Sequence, residues 1–84
     1  MGAPGNLAWL STGQYSQRIS YTGGGLPEYI GECHPKNQNL TANSVWRIKK
    51  IVYDVNNNAV SINWADRSKN FFFQWTQRAT YNYT

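Results

Sequence analysis

The chain has 84 residues, with eight Lys and Arg against four Asp and Glu and a formal net charge of +4. That length allows one small domain with a thin stability margin, and no apolar stretch approaches the roughly 20 residues that a membrane-spanning helix requires. The single Cys33 excludes an intramolecular disulfide, and the Met1-Gly2-Ala3-Pro4 start lacks the basic and then hydrophobic pattern of a secretory signal, so a reducing, cytosolic origin is expected.

Residues 1 to 27 differ in composition from the rest. Gly2, Gly5, Gly13 and the Gly23-Gly24-Gly25 triplet, with Pro4 and Pro27, interrupt regular structure. The same stretch carries Trp9, Leu10, Tyr15, Ile19 and Tyr21, too apolar for a solvated linker. It reads as an extended assembly arm, hinged at the glycine triplet and anchored by those five residues. Its docking surface is either its own domain or a neighbouring subunit, and Gln17 to Tyr21 could add a short strand to an exposed sheet edge.

Residues 28 to 84 read as a small β domain. Glu28 to Cys33 forms a strand that His34-Pro35 ends, and Lys36 to Ser44 is a polar loop. From Val45, Trp46 and Ile48 share one strand face, after which Lys49-Lys50 shifts the apolar phase to Ile51 and Tyr53. A β-bulge near Lys49-Lys50 would repair the phase; alternatively Val52 faces inward and Lys50 snorkels along its apolar stem. Asp54 to Asn58 supplies a hairpin turn, because Asn and Asp tolerate positive φ and cap their own backbone. Val60, Ile62 and Trp64 then alternate with Ser61, Asn63 and Ala65, the period of a half-buried strand. Beyond the charged turn at 65–70, Phe72, Trp75 and Ala79 fall on one helical stripe, so a short helix is expected to cover the sheet, with a fourth strand over 71–79 as the alternative, and Tyr81 and Tyr83 in a closing strand. The expected fold is mainly β: an antiparallel sandwich or barrel of about four to five strands with one short C-terminal helix. Its expected core is Trp46, Ile48, Ile62, Trp64 and Trp75.

The residue types argue against chemistry. Zinc needs about four ligands and a thiol nucleophile needs a positioned base, yet the chain has one Cys and one His, adjacent in sequence. Glu28, Glu32, Asp54 and Asp66 fall at strand ends or turns, where solvated carboxylates are ordinary. The glycine triplet precedes no Lys-Ser/Thr and opens no helix, so it is no phosphate loop. No enzymatic activity, cofactor or metal is expected. Two binding readings stand as alternatives. One is a single-stranded nucleic-acid-binding barrel that uses Phe71-Phe72-Phe73 with Arg67, Lys69, Lys49 and Lys50. The other is a carbohydrate-binding module with Trp9 or Tyr15 as a stacking platform.

The order Tyr29-Ile30-Gly31, Val45-Trp46-Arg47-Ile48, Ile62-Asn63-Trp64-Ala65-Asp66, Phe72 or Phe73, Trp75, Arg78-Ala79 and a terminal Tyr resembles small uncharacterised proteins encoded among the structural genes of tailed bacteriophages. The resemblance spans residues 28 to 83, and order and spacing carry it rather than any single motif. Arg67 departs from it where a turn glycine is common, and Gln77 where an acidic residue is common beside the Arg. It implies a non-enzymatic virion component, a capsid cement or decoration protein or a tail or fibre attachment part, made in the host bacterial cytoplasm. Its implied partners are major capsid or tail proteins and further copies of itself, with nucleic acid and membrane outside that set.

Overall fold

A computed structural model of the chain describes residues 14–84. Four antiparallel strands, β1 (Ser16–Tyr21), β2 (Pro27–Cys33), β3 (Arg47–Tyr53) and β4 (Ala59–Trp64), form one sheet in the order β1-β2-β3-β4. Helical structure among the described residues is limited to short 3-10 segments, Pro35–Asn37, Ala65–Arg67 and Trp75–Thr80. The sheet is therefore mainly β and antiparallel as expected. It remains a single open sheet among the described residues, with β1 and β4 as its edges, and is neither a sandwich nor a closed barrel.

Gln17 to Tyr21 adds a strand to the sheet edge, as the sequence allowed, and the surface it docks on is its own domain, so these residues are the first strand of the sheet and not a separate arm. Gln17 pairs with Glu32, Arg18 with Gly31 and Ile19 with Ile30, so the division at residue 27 falls inside a hairpin. The glycine triplet is its turn rather than a hinge. Thr22 N–H donates to Leu26 O at 2.8 Å and Gly25 N–H to Thr22 O at 3.0 Å, while Gly25 holds φ at 87°, a left-handed value that favours glycine. The β3–β4 turn is built as anticipated. The Asp54 carboxylate accepts the N–H groups of Asn56 and Asn58 at 2.8 and 2.9 Å, and Asn57 takes φ of 63°. The Asn58 N–H, with smaller help from Asn56 and the Asn58 side chain, holds the Asp54 carboxyl below its ordinary range.

Strand register assigns the side chains to faces, because directly paired residues share a face and neighbours along a strand alternate. Gly31 pairs with Ile48, which places Tyr29, Gly31, Cys33, Trp46, Ile48 and Lys50 on one side. Ile30 and Trp64 both pair with Lys49, and Ile51 pairs with Ile62, which places those residues on the other. The expected core therefore splits. Trp46, Ile48 and Trp75 are buried together with Cys33, Ala65 and Phe73, whereas Ile62, on the opposite face at the sheet edge, is 55% exposed and Trp64 is only partly covered. The phase shift within β3 has the same cause. Pairing is regular through Lys49 and Lys50, so the bulge is not there; Trp46 and Ile48 serve one face while Ile51 and Tyr53 serve the other. Lys50 snorkels on the first face, its Nζ 5.6 Å from the Tyr29 ring centroid. The one-residue shift in β3–β4 lies at Val52/Tyr53, where β4 carries Val60 as the extra residue.

The C-terminal segment closes the first face. Trp46 and Phe73 exchange backbone hydrogen bonds at 3.0 and 2.9 Å, an isolated bridge that holds Phe73 extended. Because Phe73 is committed to that bridge, the expected helix over 71–79 reduces to the 3-10 segment Trp75–Thr80, which no side chain caps at its start. Tyr81 and Tyr83 anchor the chain end without forming a strand. The Tyr81 hydroxyl accepts the Gln74 N–H at 2.8 Å, and the Tyr83 hydroxyl donates to Arg78 O at 2.7 Å. Asp66 exchanges two bonds with the Asn82 backbone, so the residues after β4 and the chain end are tied together.

Trp75 can lie on the sheet because Gly31 has no side chain. A Cβ there would sit 2.6 and 2.8 Å from Trp75 ring atoms and 3.1 Å from Trp46, closer than packed carbons approach. Gly31→Ala is expected to destabilise the chain by about 1–3 kcal/mol through overpacking. Trp46→Ala is expected to cost about 3–5 kcal/mol and Trp64→Ala about half of that or less, measured by denaturant unfolding. Equal losses at the two tryptophans would contradict the assignment of faces.

Candidate functional site

The described residues collect no catalytic constellation. They contain no group of three or more His, Cys, Asp and Glu side chains that could hold a metal ion. Glu32 is held by Arg47 and Gln17, Asp54 by its own turn, and Asp66 by Asn82. The Cys33 thiol is fully buried, and burial raises its pKa, with Arg18 opposing, so it stays protonated and inert at neutral pH. No helix among the described residues is long and apolar enough to cross a membrane.

What the fold does present is the second face of the sheet. Its middle is apolar and buried, with Ile30 and Ile51 exposed by 1% and 8%. Toward β4 it opens into a groove of about 330 Å³ lined by Pro27, Ile51, Tyr53, Ala59 and Ile62. The Tyr53 hydroxyl donates to Pro27 O at 2.5 Å and so spans from β3 to the start of β2, fixing one wall of the groove. Val60 and Ile62 on β4 add exposed aliphatic surface beside it.

The opposite end of the same face is organised around Arg47. Its Nε donates to Glu32 Oε1 at 2.6 Å, and the second Glu32 oxygen accepts from Gln17 Nε2 at 3.0 Å. The guanidinium carbon lies 4.7 Å from the Tyr15 ring centroid, 4.9 Å from Phe71 and 5.5 Å from Trp64, so three aromatic faces surround one cation. His34 completes an aromatic triangle with Tyr15 and Phe71, at 5.5 and 5.0 Å. The cage ties the approach to β1, the end of β2, the start of β3, the end of β4 and the C-terminal segment to one side chain. Only an arginine supplies a planar cation that stacks on rings while donating in plane to a carboxylate.

Of the residues expected at an assembly interface, Trp9 and Leu10 lie outside the described residues. Tyr15 packs in the Arg47 cage and Ile19 faces Ile30 across β1–β2, so both serve their own chain. Tyr21, 56% exposed at the end of β1, is presented to the surroundings. The groups proposed for nucleic acid disperse: Phe71 enters the cage, Phe72 is 68% exposed, Phe73 is in the core, and Lys49 and Lys50 occupy opposite faces. Tyr15, a possible sugar platform, has Arg47 over its ring. Sequence reasoning missed the Arg47 cage. Its signal is the pair of opposite charges, Glu32 near the end of β2 and Arg47 at the start of β3, beside the aromatic residues Tyr15, Trp64 and Phe71. No family model, curated protein or solved structure matches the chain.

Glu32 has 9% of its side chain exposed, so removing Arg47 leaves a carboxylate largely buried and short of its charged partner. Arg47→Ala is expected to lose about 1.5–3 kcal/mol of stability, and Glu32→Gln in the same chain to recover part of it. A double-mutant cycle should return a coupling of about 1–3 kcal/mol. Additive effects would show that the pair acts through packing alone.

Proposed function

We propose that this chain is a non-enzymatic structural component of a tailed-phage particle, made in the host cytoplasm and assembled as a capsid cement or decoration protein or at a tail or fibre attachment. The observation that carries the reading is the contrast between the two faces of the sheet. One is filled by the chain's own C-terminal segment, and the other leaves an apolar groove and the aliphatic β4 edge exposed. A surface of that kind favours protein contact, since exposed contiguous apolar area marks interaction sites.

The residues behind the resemblance also support it. Gly31 seats Trp75, Trp46 and Ala65 are fully buried, Asp66 fastens the chain end, and the Arg78 guanidinium lies 4.7 Å from the Trp75 ring centroid. These are positions that build a fold, so the likeness speaks for a common scaffold rather than a common active site. Partners in this reading are major capsid or tail proteins and copies of the chain itself. Trp9 and Leu10, with Tyr21, are the proposed contacts from the N-terminal side.

Purified particles should contain the chain in stoichiometric amount, and its absence from them would end the reading. Deleting residues 1 to 13 is expected to leave a folded domain that no longer joins the particle. Deleting residues 1 to 22 removes β1 as well, exposes the edge of β2, and is expected to unfold the domain; circular dichroism of the two truncations separates these effects.

A further inference from the structure

We infer that β4 is a self-pairing edge, through which two copies of this chain join antiparallel across a two-fold axis at Ile62 to give one continuous eight-stranded sheet. β4 ends the strand order and has no partner on its outer side among the described residues. Such an edge presents unpaired backbone N–H and C=O groups, and monomeric proteins blunt it with charge, proline or a bulge. Ala59–Trp64 has no charged residue, proline or glycine, and its bulge at Val60 lies at one end, leaving Ser61 to Trp64 in regular register.

The strand also matches itself. An antiparallel two-fold through Ile62 sets Ile62 against its own copy, Val60 against Trp64 of the other copy, and Ser61 against Asn63. Every apolar residue then meets an apolar residue, and every polar one a polar one; the off-axis pairs Val60–Trp64 and Ser61–Asn63 each occur twice, as an isologous contact requires, and Ile62–Ile62 once on the axis. Val60 and Ile62 are 60% and 55% exposed in the single chain, and the groove at Pro27, Ile51, Tyr53, Ala59 and Ile62 would run on into its symmetry mate. Charge selects this edge over the other. The chain carries +4 overall, and a two-fold brings like regions together; β4 brings no charge to the axis, whereas β1 would bring Arg18.

The inference deepens the reading of the chain as an assembly unit, and the two fail separately. A chain that pairs in solution but is missing from particles keeps this inference and ends that reading; a chain found on particles but monomeric in solution does the reverse. The experiment uses the full chain. Ile62→Cys under mild oxidation should give a disulfide-linked dimer on a non-reducing gel, with the buried Cys33 silent. Ser61→Cys and Asn63→Cys should each stay monomeric alone and cross-link when mixed. Ile62→Lys, which places two ammonium groups on the axis, should reduce the mass from sedimentation equilibrium to that of one chain while leaving the circular dichroism unchanged. The inference is overturned if the unmodified chain remains monomeric up to its solubility limit, or if Ser61→Cys alone cross-links as readily as Ile62→Cys.

Discussion

The structure depends on the missing side chain at Gly31. Strand β2 runs between β1 and β3, and a residue at its middle would ordinarily project into whatever covers the sheet. At Gly31 the covering group is the Trp75 ring, too close for any Cβ, with Trp46 beside it at a ring separation of 5.9 Å. Two large aromatic groups thus pack together, their planes inclined by 37°, over a sheet of only four strands. They bury enough apolar surface to close one face without a second sheet or a long helix. The bridge between Trp46 and Phe73, the hydroxyls of Tyr81 and Tyr83, and the clasp between Asp66 and Asn82 then hold the last residues over that face. A 3-10 segment suffices there because its task is to deliver Trp75, not to supply a helical face.

With one face closed by the chain itself, the second face becomes the functional variable. Its two ends differ in kind. The Arg47 end is internally satisfied, its charge neutralised by Glu32 and its flat surfaces covered by rings, so it serves as a rigid clamp. The β4 end is aliphatic, uncharged and exposed. A rigid clamp beside an exposed aliphatic edge presents a preordered surface, and rigid backbone lowers the ordering cost of binding.

The legible parts of the sequence were those governed by local chemistry. The Asp54–Asn58 turn and the stop at His34-Pro35 rest on short-range rules, and each has its structural counterpart; the alternation in β4 marks a strand, yet Val60 and Ile62, expected on its buried face, are 60% and 55% exposed. Face assignment was not legible, because a sheet apolar on both sides removes the contrast that alternation relies on. Trp46 and Trp64 therefore read as one core although register separates them. The glycine triplet was compatible with a hinge or a hairpin turn, and only the pairing of Ile19 with Ile30 decides for the turn. The stripe Phe72, Trp75, Ala79 fits helical spacing, yet the Trp46–Phe73 bridge takes Phe73 out of any helix. Of the anchors read from the N-terminal stretch, Tyr15 and Ile19 are spent on the chain's own sheet and Tyr21 is exposed. The groove and the Arg47 cage depend on strands distant in sequence, which residue order alone does not reveal.

The claim that the C-terminal segment seals Trp46 on one face while Trp64 stays only partly covered on the other is tested most directly by hydrogen exchange at the indole N–H groups. Trp46 Nε1–H is buried and donates to Leu40 O at 3.1 Å, so its exchange should require opening of the whole domain. Trp64, half-covered on the other face, should exchange orders of magnitude faster in the free chain. Equal protection of the two indoles, or rapid exchange at Trp46, would contradict the account.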